Sequence, residues 1–139
     1  MRIEIMDLLP GTETGKGPLV AFRGTSGQAW GQWCGSEIPQ VGDLVDVEFD
    51  APEEITQWTT ADGPTMMTSD FPTSPVRIRG VVASVAEDSV VALRVDTDIV
   101  LVEFENSMNS VQSHQAEEPR VGDCIEFTTP RIDLYPYSV

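Results

Sequence analysis

Pro39-Gln40-Val41-Gly42-Asp43-Leu44-Val45-Asp46-Val47-Glu48-Phe49 returns further along the chain as Pro119-Arg120-Val121-Gly122-Asp123-Cys124-Ile125-Glu126-Phe127. Each copy carries a Val-Gly-Asp turn that feeds an alternating run. In the first, Val45, Val47 and Phe49 fall on one side and Asp46, Glu48 and Asp50 on the other, as the two-residue period of a half-buried strand requires. The second keeps that register, with Ile125 and Phe127 facing in and Glu126 facing out. Recurrence of turn and strand together predicts a duplicated β unit.

A second register agrees. Leu19-Val20-Ala21-Phe22-Arg23 lies over Val90-Val91-Ala92-Leu93-Arg94 at an offset of 71, which also places Trp33 on Phe104, and Arg2-Ile3 lies over Arg77-Ile78 at an offset of 75. Offsets that drift only between strands are what loop insertions leave in a shared scaffold. The first unit reads as strands at 2–9, 18–23, 28–33, 44–50 and 55–59, the second at 76–85, 90–95, 99–104, 124–128 and 132–137. No window has sustained helical periodicity with caps at both ends. The predicted fold is all-β: a first barrel-like repeat over 1–61, a linker or packed excursion over 62–75 and a second repeat over 76–139, the two packed together. The turn and the five-strand order resemble those of small OB-type or SH3-type barrels. That resemblance implies an architecture and no particular ligand.

The linker is rich in turn formers and is expected to pack Met66, Met67 and Phe71 against a barrel. The stretch Asn106 to Glu118 is much longer than its counterpart, Cys34 to Val41. It reads as a copy-specific contact, or as disorder or a tolerated insertion.

With 139 residues, 40% hydrophobic and 22% charged, the composition is that of a soluble globular protein. Met1 to Pro10 has no basic leader followed by an apolar core, and no apolar run is long enough to span a bilayer, so a cytoplasmic location is expected. Cys34 and Cys124 stand at non-equivalent places in the two copies, and reduced thiols are expected. One histidine, His114, and two scattered cysteines provide no structural metal spacing. Gly11 to Gly17 lacks the spacing and the following helix of a phosphate loop and reads as a hairpin connection. Among 23 acids some pair of carboxylates always fits a hydrolytic scheme, so such a pair points nowhere. The chain is read as non-enzymatic, without cofactor or metal.

Charge is the sharper clue. A formal net charge of −15 opposes the phosphate backbone that supplies most nucleic-acid affinity. Arg77 and Arg79, with Arg94, form the candidate basic patch, and they read as cross-strand partners of Glu103 and Glu105. An acidic row favours a basic protein partner reached by electrostatic steering. The candidate contacts are Asp46, Glu48, Asp50, Glu53 and Glu54; the same row also fits a solvated strand that resists sheet-to-sheet association. Trp30 and Trp33 face opposite sides of their strand. Trp33 is assigned to the core through Phe104, and Trp30, aligned with Leu101, points outward as an interface anchor or as packing between the halves. The reading is a non-catalytic acidic protein-binding module, concretely an immunity-type antagonist of a basic protein. The alternatives are a barrel that binds a small molecule or oligomer on Trp30, Trp58, Tyr135 and Tyr137, or a structural subunit of a larger assembly.

Overall fold

The computed structural model describes residues 1–11, 17–104 and 119–137. Eleven strands, and among these residues no helix, run as β1 (Arg2–Leu9), β2 (Leu19–Gly24), β3 (Gly27–Trp33), β4 (Leu44–Ile55), β5 (Thr59–Thr60), β6 (Met66–Thr68), β7 (Val76–Val85), β8 (Val90–Val95), β9 (Asp98–Phe104), β10 (Cys124–Thr129) and β11 (Asp133–Pro136). Among the described residues no helix is long and apolar enough to cross a membrane. His114, Glu105 and the stretch Asn106 to Glu118 lie outside the described residues, as does the middle of the Gly11 to Gly17 connection.

β1 pairs with both β2 and β4, and the ring is completed through β3 and β11, giving a closed five-stranded barrel in the order β1-β2-β3-β11-β4. The strand that closes it comes from the C-terminal end of the chain. β11 runs parallel to β3 and antiparallel to β4, a placement that local pattern does not specify. On the other side β10, β7, β8 and β9 form a meander that joins β4 through a parallel β4–β9 pairing, while β5 covers the free edge of β10. The expected strand at 44–50 runs on to Ile55, whereas of the one expected at 55–59 only Ile55 lies in β4 and Thr59 in β5. β4 stays extended to Ile55 because its far half pairs with β9. The excursion at 62–75 contributes β6, which pairs with β7 and buries Met67 at 1% exposure, whereas Phe71 is 67% exposed rather than packed in the core.

Alternation places the core as expected. Ile3, Ile5, Phe22, Trp33, Val47 and Phe49 fill the first barrel, and Ile78, Leu93, Val102, Phe104 and Phe127 continue it in one apolar cluster. Phe22 meets Phe49 with ring centroids 5.4 Å apart, and Phe104 is met edge-on by Phe127 at 5.9 Å and by Trp58 at 6.3 Å. Trp58, a candidate stacking surface in the ligand reading, is thus packed against the core. At Gly31 a Cβ would stand 2.1 Å from the Leu134 side chain, so glycine there lets β11 cross the barrel wall.

The two Val-Gly-Asp turns match bond for bond. Asp43 N–H donates to the Gln40 carbonyl and Asp123 N–H to that of Arg120, each at 3.0 Å. Each aspartate carboxylate accepts the N–H of the residue that opens its turn. Gly42 N–H reaches the Ile5 carbonyl and Gly122 N–H that of Val82, each at 2.8 Å. Both glycines have φ of 95°, at the third position of the turn, where a side chain is strained. By these bonds Ile5 stands to the first turn as Val82 stands to the second, and Arg2 faces Asp46 as Arg79 faces Glu126. The offset at this strand is therefore 77, and the expected alignment of Arg2 with Arg77 is out by one pleat. Each strand carries its irregularity at the matching place, after Ile5 and after Val82.

A Cβ at Gly42 or Gly122 would meet nothing within 4 Å, so replacement costs backbone strain alone. Gly42→Ala and Gly122→Ala are each expected to lower unfolding free energy by about 1–2 kcal/mol. Their similar and additive effects would be read from urea denaturation of the single and double variants.

Candidate functional site

β4 is flanked along its middle by β11 on one side and β9 on the other, so its outward residues sit in the centre of a three-stranded face. Asp46, Glu48 and Asp50 line up along it at intervals of about 7 Å. Glu48 is opposite Tyr135 on β11, and Asp50 is opposite Asp133 there and Leu101 on β9. Tyr137 N–H donates to the Asp46 carbonyl at 3.0 Å, carrying the β11 side of the face one residue further. Tyr135, Tyr137, Ile99 and Leu101 are all more than two-fifths exposed. The acidic row therefore runs between an aromatic border and an aliphatic one.

The carboxylates differ in how far they are committed. Arg2 Nε stands 3.2 Å from Asp46, and the guanidinium holds that carboxyl below its ordinary value. Loss of hydration, then the neighbouring Glu48 carboxylate, then Asp98 and Asp46 push the Tyr137 phenol up. Glu53 and Glu54 are exposed on the far end of β4, within the register irregularity between Ala51 and Ile55, and do not join the row at its centre. Trp30 is half-buried on the outer side of β3, and its backbone N–H donates to Ser69 Oγ at 2.8 Å. It points outward as expected but lies outside the three-stranded face.

Sequence reasoning picked out the acids and missed the floor beside them. The alternation of Ile99-Val100-Leu101 marked Ile99 and Leu101 as outward, but only the parallel β4–β9 register puts them next to Glu48 and Asp50. Between β4 and β9 lies an open groove of about 330 Å³ that includes Glu48, Asp98, Ile99, Leu101 and Tyr137 in its lining. A larger cleft of about 610 Å³ opens beyond β11, where Trp33, Cys34, Ile38, Pro39 and Pro136 meet the two tyrosines.

The basic patch resolves differently from expectation. Arg77 and Arg79 converge on Glu126, at 2.9 and 2.6 Å, and Glu103 belongs to another part of the sheet. β10 lies beside β7, so Glu126 is the carboxylate within reach of both guanidinia. Arg23 pairs with Glu4 and Arg131 with Asp133. Cys34 and Cys124 are both free thiols. Partial burial, and then the charge of Asp133, push the Cys34 thiol up, which keeps it protonated at neutral pH and unsuited to nucleophilic attack. Among the described residues no group of His, Cys, Asp and Glu is arranged to hold a metal.

No family model matches the chain, and no match is found among curated proteins or solved structures.

Two titrations check this geometry. Glu48→Gln is expected to bring the Tyr137 phenol back toward its ordinary value near 10.0, read by absorbance of the phenolate as alkali is added. Arg77, with Arg79, depresses the Glu126 carboxyl below its ordinary 4.5. The stabilisation is then complete at neutral pH, and it is lost as the pH falls from about 4.5 through the lower native value. Glu126→Gln is expected to be less stable at pH 7 and to lose less of its urea midpoint than the parent between pH 6 and 3.

Proposed function

We propose that the chain is a non-catalytic acidic protein-binding module whose partner is a basic protein, of the kind an intracellular immunity-type antagonist neutralises. The observation that carries this reading is the placement of Asp46, Glu48 and Asp50 in the middle of an exposed face bordered by Tyr135, Tyr137, Ile99 and Leu101. Exposed aromatic and aliphatic side chains around a charged row supply both halves of an interface, apolar area for affinity and charge for steering and register.

We further infer that the chain is an internal duplication of a small OB- or SH3-like unit, with repeats over 1–61 and 76–139. Matching turn bonds, matching strand irregularities and the pairing of Trp33 with Phe104 as buried equivalents support it. On that alignment the two outer faces have diverged. Where β4 has Asp46, Glu48 and Asp50, the second copy has Glu126, Thr128 and Pro130, and its one acid is neutralised by two arginines. The negative row is therefore a property of one copy, which favours a specific contact over a general solubility device.

The 610 Å³ cleft beside Tyr135 and Tyr137 favours a second reading, a small-molecule site. Salt separates the two. The first requires binding that weakens as ionic strength rises and is lost in the triple reversal Asp46→Lys, Glu48→Lys, Asp50→Lys. The expected outcome is retention of a stoichiometric basic protein from lysate at low salt, its release at moderate salt, and its absence when the reversed variant is used. Tryptophan or tyrosine fluorescence that responds to small ligands regardless of salt would favour the second.

A further inference from the structure

The groove between β4 and β9 combines three features that one kind of side chain matches. Its floor is apolar and open, with Ile99 at 45% and Leu101 at 47% exposure. Its lining includes Glu48, Tyr137 and Asp98. Asp98 is already engaged by the Met1 ammonium at 2.7 Å, which leaves Glu48 as the carboxylate of the groove not in an ion pair. Arg94, opposite Ile99 on β8, sets a positive boundary on the far side, so a cation approaches from the β11 side, where the acids lie.

The geometry points to an arginine side chain of the basic partner as the occupant of this groove, its methylene stem on Ile99 and Leu101 and its guanidinium between Glu48 and the Tyr137 ring. This rests on the reading of the β4 face as the partner-binding surface. Arginine fits better than lysine for two reasons. Its planar head stacks on an aromatic face while donating a forked pair of hydrogen bonds to a carboxylate, and it gives up hydration more readily than an ammonium. The apolar stem covers aliphatic surface that a compact cation would leave wet. A volume of about 330 Å³ admits one long side chain and excludes a helix or a folded element.

The test uses the full chain, ¹⁵N-labelled, titrated with N-acetyl-Gly-Arg-Gly amide and with its lysine and citrulline counterparts. The expected result is amide shift changes centred on Glu48, Ile99, Leu101 and Tyr137, with the arginine peptide about threefold tighter than lysine and citrulline inert. Leu101→Ser removes floor and no charge, and is expected to weaken the arginine peptide by about threefold. Should Leu101→Ser not fold, Ile99→Thr makes the same test in a β-branched residue suited to the strand. Shift changes scattered over all acidic surfaces, or an unchanged affinity in the floor variant, would overturn the assignment. If that happened while triple charge reversal still abolished capture of the basic protein, the groove would fall and the β4 reading would stand.

Discussion

The parallel pairing of β4 with β9, made while the same residues pair antiparallel with β11, is the constraint on which the rest depends. Phe49 is simultaneously opposite Val100 and Leu134. One strand thus belongs to the closed barrel and to the meander beside it, and the apolar side chains on its inner face join both to a single core. Parallel neighbours cannot be joined by a tight turn, so this seam requires long connections, and the chain supplies them through β5, β6 and the return of β11. The hairpin tips reinforce the join. Thr25, between β2 and β3, donates its hydroxyl to Asp96, between β8 and β9.

A strand paired on both sides presents its outer residues in a different physical setting from an edge strand. Charges on an edge deter association with a second sheet, because they guard unpaired N–H and C=O groups. β4 has no such groups to guard along 47–51, since β9 and β11 take them. A row of like charges there carries mutual repulsion without that protective return. On β10 that cost is avoided, since Arg77 and Arg79 meet Glu126. On β4, Arg2 meets Asp46, and the rest of the row stands beside the exposed Tyr135 and Tyr137.

Local pattern made much of this visible. Strands at Arg2–Leu9, Val76–Val85 and Val90–Val95 end where alternation and turn residues place them, and Trp33 is buried as its alignment with Phe104 requires. The inward and outward faces of β4 follow from period two alone. What local pattern does not contain is the choice of distant neighbour. The assignment of β11 to the first barrel, the extension of β4 onto β9 and the pairing of Arg77 and Arg79 with Glu126 each depend on segments far apart in sequence. The acids of the candidate site were therefore legible, and their aliphatic and aromatic borders were not, because a border belongs to a neighbouring strand. Trp30 illustrates the converse. Its outward direction was legible, and its separation from the acidic row was a matter of strand order.

Where the face sits in the scaffold bears on how it would work. Interface residues on loops pay an ordering cost on binding that subtracts from affinity, whereas residues in the middle of paired strands have already lost that freedom during folding. Asp46, Glu48, Tyr135, Ile99 and Leu101 all project from strands whose backbone bonds are made on both sides or whose inner neighbours are buried. Tyr137, just past β11, is tied by its N–H to the carbonyl of Asp46. A surface held this firmly is suited to rapid capture of an oppositely charged partner, because electrostatic attraction brings the partner in and little rearrangement is then required before the apolar contacts form.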